Sequence, residues 1–244
     1  MENNSIKSLK KAGFPAFFVL ILFCSLANRS NAQFFVPKLH VGSLAFYQPG
    51  IGVEYVVDRQ FSLQVNSFYR PSTANENFIM RSFTEDGASK NNKLSGYNFS
   101  IEGRAYTRRS RNAATKVYSG FFLRYFNYKL QSEFNRDTVN YQFDASLKNI
   151  SGGFETGVQW VIDKKYSIDF TFIALGIASN LLKGTVIPDD FEAPIGVLED
   201  EMQGIPFLGN RIILERDKVE SLFRFSNDYK TLAVRATLSL GIIF

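Results

Sequence analysis

Seven charged residues stand inside stretches that otherwise alternate apolar with small polar side chains. They are Glu54, Glu102, Arg104, Arg124, Glu155, Asp169 and Arg235. Both signs are present, at about one charge per stretch. Carboxylates and guanidinium groups at such positions have one economical chemistry: they pair. An arginine fork presents several donors in fixed geometry and can bridge two carboxylates. A buried charge left alone costs on the order of 3–5 kcal/mol. A second candidate is the one histidine, His40, with Ser43 nearby. An offset of three places the two on opposite faces of a strand, so they form a poor nucleophile–base pair. There is no Cys/His cluster for zinc, no G-x-S-x-G and no phosphate loop. No cofactor and no metal site is expected.

The stretches that carry the charges repeat with a period of two. Ile51, Val53, Tyr55 and Val57 share one face, with Gly52, Glu54 and Val56 on the other. Residues 61–70, 95–106, 152–162, 166–177 and 231–244 behave in the same way. Residues 38–47 read as a strand of ambiguous facing, and 117–128 as a strand with aromatics on both faces. Eight strands of about nine to twelve residues suit tilted crossings of a bilayer. Connections near 58–60 and 163–165 are tight. Those near 71–92, 129–149 and 179–228 are long. Pro194 and Gly204 bracket a short helix predicted in the last loop.

The polar face decides which side looks out. Water-facing strands carry many lysines and glutamates, whereas here that face is mostly Gly, Ser, Asn and Gln. Such a face suits a narrow interior filled by its own side chains. The continuous apolar face then looks at lipid, since it would not stay soluble in water. The alternative is a soluble, lipocalin-like barrel with its apolar face inward. The chain has 25 Phe and 11 Tyr, 15% aromatic in all, which favours β structure and membrane interfaces. Tyr106, Tyr118, Trp160 and Tyr166 lie near strand ends and are expected in an interfacial girdle.

Residues 1–32 read as a cleaved signal peptide: Lys7, Lys10 and Lys11, an apolar run at 14–27, and "SNA" before Gln33. Cys24, the one cysteine, lies in that run, so the remainder has no thiol chemistry. Without the leader 24 basic and 22 acidic residues remain, and the basic balance gives no argument for nucleic acid. Residues 33–244 are expected to form a single domain. "RRSR" at 108–111 reads as a solvated turn.

The leader ending "SNAQ", the hairpin "GVEYVVDRQFSLQVNSFYRP" and the terminal strand "TLAVRATLSLGIIF" together resemble small outer-membrane β-barrel proteins of the OmpA/OmpX-like kind, in their Bacteroidota version. The resemblance implies an all-β, eight-stranded antiparallel up-and-down transmembrane β-barrel in the bacterial outer membrane. It implies that Leu238, Leu240 and Phe244 form the signal read by the barrel-assembly machinery, with Ile242 standing where an aromatic is often found. The expected role is non-enzymatic, with a plugged polar lumen, and structural or directed at the cell surface. Expected partners are outer-membrane lipids and lipopolysaccharide, the protein being a monomer. Two alternatives stay open: a small pore or transporter for hydrophobic or small solutes, and a lipid A-modifying hydrolase using His40.

Overall fold

The computed structural model describes residues 34–58, 60–74, 89–107, 115–136, 139–189, 214–217 and 222–243. The leader, the "RRSR" turn, the helix expected over 194–204 and Phe244 lie outside them. The strands are β1 (Phe34–His40), β2 (Gly50–Val56), β3 (Phe61–Ala74), β4 (Ser89–Tyr106), β5 (Thr115–Arg136), β6 (Val139–Ile162), β7 (Tyr166–Pro188), β8 (Leu214–Asp217) and β9 (Leu222–Ile242). Each of β1 to β6 pairs antiparallel with its successor, and β9 follows β7. β9 also pairs with β1, closing eight staves into a ring. The four-residue β8 adds to the upper end of β9.

The registers define the shape of the ring. One rung runs Lys38, Gly52, Asn66, Ser100, Arg124, Ser151, Ala178, Thr231. Lys38 itself pairs with Gly241, so one circuit climbs from 241 to 231 along β9. A stagger of that size over eight strands inclines them by about 40° to the axis. β7 carries a bulge near Phe172, where the register shifts on both sides. Phe172 and Ile173 are consecutive, yet both face outward.

Alternation sorts the faces cleanly. Outward positions include Phe99, Ile101, Phe121, Leu123, Phe154, Leu175, Ile177, Leu232 and Val234, all exposed. Inward positions include Glu54, Gln64, Asn66, Glu102, Arg104, Asp169 and Thr171, each at most 2% exposed. Two lower connections, between β2 and β3 and between β6 and β7, are tight. Between β6 and β7, Asp163 and Lys164 adopt positive φ (51° and 58°), and Lys165 N–H closes the turn on Ile162 O at 3.0 Å.

Three expectations change. The strand expected over 38–47 stops at His40, and Gly42–Phe46 form a 3-10 turn ending at Tyr47, with φ 53°. The strands are longer than nine to twelve residues: β5, β6, β7 and β9 have 22, 24, 23 and 21. Much of what reads as loop near 129–149 and 179–228 is therefore ladder. Outward residues there, such as Lys129, Gln142, Asp144, Lys183 and Arg224, are polar, so the apolar alternation fades while pairing continues.

Candidate functional site: a charged plug across the barrel

The lower barrel is crossed by a continuous network of ionised side chains. Lys38 Nζ on β1 meets Glu54 Oε2 at 2.8 Å and Asp169 Oδ2 at 2.6 Å, and donates to Gln64 Oε1 at 2.7 Å. Arg104 on β4 reaches Glu102 Oε2 at 2.7 Å, Glu155 Oε1 at 3.2 Å and Asp169 Oδ2 at 2.5 Å. Arg235 on β9 reaches Glu102 Oε1 at 2.7 Å and pairs with Glu155 Oε2. Three cations thus hold four carboxylates drawn from β2, β4, β6 and β7.

Neutral donors complete the plug. Glu54 accepts from Ser62 Oγ at 2.6 Å, Gln159 Nε2 at 2.9 Å and the Tyr106 hydroxyl. Asp169 accepts from the Tyr118 hydroxyl at 2.9 Å, and the Arg104 guanidinium stacks 4.2 Å from the Tyr118 ring centre. Asn66 Nδ2 donates to Glu102 Oε1 at 2.7 Å. Every stave contributes. Buried ion pairs persist only when hydrogen bonds satisfy the remaining lone pairs and protons.

Small residues make the space. A Cβ on Gly157 would sit 2.5 Å from both the Tyr118 hydroxyl and Phe170 O. A Cβ on Gly52 would lie 2.3 Å from Asn66 Oδ1. Substituting either glycine forces a plug residue to move.

The structure brings Glu54, Glu102, Arg104, Glu155, Asp169 and Arg235 into one network. Arg124 also points inward, one rung step from Ser100, but its Nε donates to Ser151 Oγ at 3.3 Å and it makes no ion pair with a carboxylate among the described residues. Tyr106 and Tyr118 are corrections: both are buried inside as plug donors, at 7% and 0% exposure. Their positions have the inward parity of Arg104 and Gly120, and the negative Glu54 and Asp169 give their hydroxyls partners. Trp160 and Tyr166 face outward at the lower rim. The sequence reading missed Lys38. Its signal was the parity with Val36 and His40, hidden because the facing of 38–47 was ambiguous.

His40 is buried, with Nε2 2.8 Å from Asn66 Oδ1 and its ring 4.6 Å from that of Phe68. Ser43 Oγ donates to the His40 backbone carbonyl, not to its ring. The two do not form a nucleophile–base pair.

The outward face has sharp limits. Going up, the unbroken apolar outward run ends at Tyr97, Tyr125, Ile150, Ile177 and Leu232, and the next outward positions are Ser95, Asn127, Lys148, Ser179 and Lys230; on β7 the outward Leu181 and Ile187 stand singly above it. Allowing for strand inclination, the ends of the run lie at one level. The lower limit runs through Tyr55, Phe61, Trp160, Tyr166 and Ile242. The belt between is about eleven residues of each long strand, or roughly 28 Å of height. Tyr69 pairs with Tyr97, whose ring centre is 6.0 Å from that of Tyr125, which gives the upper limit an aromatic edge.

A family model described as "Protein of unknown function (DUF3575)" matches residues 17–183. No curated protein matches the chain. Among solved structures, the chain is similar to one described as a major outer membrane protein from Thermus thermophilus. The two are 8% identical, with 88% of this chain and 100% of that chain covered and a TM-score of 0.44.

Proposed function

Since the chain belongs to the DUF3575 family, whose function is unknown, we propose from its geometry that it is a non-enzymatic integral barrel of the bacterial outer membrane, with a structural or surface-interaction role. One observation carries this reading: the molecule is inside out. Among the described residues the ion pairs are interior, and the outer wall is an apolar belt roughly 28 Å tall, close to the ~25 Å band of outer-membrane barrels. In water such a belt would drive aggregation. In a bilayer it is the low-energy surface.

The same reading takes in the biogenesis of the chain. Residues 1–32 are removed by signal peptidase during export, and Leu238, Leu240 and Phe244 are read by the assembly machinery. Outer-membrane lipids and lipopolysaccharide surround the belt, and the barrel is a monomer. Because the network of ion pairs and hydrogen bonds joins side chains from every stave across the lumen, the barrel is expected not to conduct.

Two measurements test this. Unboiled protein extracted from membranes migrates differently on a gel from boiled protein, because the barrel resists detergent until heated. In planar bilayers it gives almost no current. Co-migration together with recovery in the soluble fraction would overturn the membrane reading. Steady ion conductance would overturn the sealed lumen in favour of a pore.

A further inference from the structure

Above the belt the outer wall gathers positive charge in one place. Pairing sets Lys129, Ser146, Lys183 and Ser226 side by side on β5, β6, β7 and β9, facing outward. Lys148 stands two residues below Ser146 on the same face of β6. Three lysines therefore surround one hydroxyl. Two approach from neighbouring strands, about 5 Å away between backbones, and one from roughly 7 Å down the same strand. All three lysines are exposed, and Ser146 is half-buried. Among the described residues none of the three makes an ion pair. The nearest acids on this face are Asp144, which accepts from Gln131 Nε2 at 3.2 Å, and Asp228, on the far side of Leu181. With Arg224 on the rung above, positive charge prevails.

The wall is concave at this point. Lys129, Asp144, Ser146, Lys183, Arg224 and Ser226 line a groove of about 790 Å³. Behind it Tyr141, Leu182, Val186, Phe223 and Phe225 pack into an apolar cluster, so the charges have only the outer side to face. Height matters as much as charge. Lys148 is the first outward residue above Ile150, and Ser146 is the second. Each outward step lifts the wall about 5 Å, so the cradle begins at the base of the lipid headgroup layer. Lysine stems are long enough to carry their ammonium groups down into that layer. Beneath, Ile150, Phe154 and Ile177 are exposed residues of the belt, and Leu181, paired with Lys148, carries apolar surface up between Lys148 and Lys183. An anion held in the groove sits directly above apolar wall.

We propose that this groove binds the phosphate headgroup of an outer-leaflet lipid whose acyl chains lie on Ile150, Phe154 and Ile177. A phosphate accepts from several donors at once, and ammonium groups are compact point charges suited to it. Lys129, Lys148 and Lys183 supply the charge, and the Ser146 hydroxyl donates from the floor. Charge complementarity selects an anion, and the unbroken passage from groove to belt selects a lipid over a soluble one. The proposal rests on the membrane reading above. It adds a headgroup class and one place on the wall that receives it.

The test uses the full chain in phosphatidylcholine bilayers, with spin-labelled phosphatidic acid as probe and spin-labelled phosphatidylcholine as reference, read by electron paramagnetic resonance. The motionally restricted fraction should favour phosphatidic acid by roughly fivefold or more, the effect of a lysine near an anionic surface. Lys129→Gln/Lys183→Gln should bring that preference close to unity while keeping the heat-dependent gel shift, since both side chains are exposed. Lys164→Gln/Lys165→Gln removes the same charge from the opposite rim and should keep the preference. Inorganic phosphate at constant ionic strength should not displace the probe. Equal loss in the two double variants, or no loss in the first, would mean diffuse attraction and overturn the groove. Displacement by inorganic phosphate would put a free anion there and overturn the lipid. No preference in wild type that still shows the gel shift would overturn the groove alone. Loss of the gel shift in wild type would instead remove the membrane reading on which the groove rests.

Discussion

At the scale of single residues, the plug rests on arginines that each hold more than one acid. Arg104 bridges Glu102, Glu155 and Asp169, so its removal leaves three carboxylates facing one another with Lys38 and Arg235 alone to neutralise them. Arg104→Ala is expected to cost about 3–5 kcal/mol, the range for breaking a buried pair. The urea midpoint of the detergent-solubilised barrel should fall accordingly, and an unchanged midpoint would mean that the ion pairs are not holding the wall. The inward acids and arginines were legible in the sequence because each interrupts an otherwise small, uncharged face. Lys38 was not, since the facing of the strand read over 38–47 stays ambiguous until the pairing of β1 with both β2 and β9 is known. Tyr106 and Tyr118 were misplaced for a related reason. Nearness to a strand end suggests an interface, but parity decides the face, and both share the parity of the charged positions.

At the scale of strands, one rule serves two environments. Within the belt the outward parity is apolar; above it the same strands go on with mostly polar outward residues, Leu181 and Ile187 of β7 being exceptions. Alternating hydrophobicity therefore reports only the lower part of β5, β6, β7 and β9, and the upper hairpins were read as loops. Backbone pairing does not depend on what the outward side chain is, so the ladders continue to Arg136↔Val139 and Tyr141↔Pro188. A charge placed on the outward face should be costly only within the belt. Phe121, exposed and packed 4.4 Å from Phe154 between ring centres, lies near mid-belt. Phe121→Arg is expected to lower folding stability in lipid vesicles by about 2–4 kcal/mol. Lys148→Ala, above the upper edge, should change it by no more than about 0.5 kcal/mol. Equal effects at the two positions would contradict the belt limits. The 3-10 turn at Gly42–Phe46 was not legible either. Its residues keep a strand-like pattern, and the turn is set by the shortness of β1 and β2.

At the scale of the molecule, ring closure turns a set of amphipathic strands into a layered tube. Charged groups close it low, asparagine and arginine line the middle, and an apolar cluster fills the upper extension. Each layer follows from one parity meeting itself around the ring, with the stagger setting which residues share a height. The orientation of the wall is what everything else presupposes, and the chain carries its own probe: it has one tryptophan, Trp160, exposed on the outward face near the lower limit of the belt. Refolded into vesicles containing brominated phospholipids, the protein should show strong quenching of Trp160 fluorescence, greater with bromines near the headgroup than with bromines near the bilayer centre. Emission untouched by brominated lipid at either depth would place Trp160 away from hydrocarbon and contradict the apolar wall.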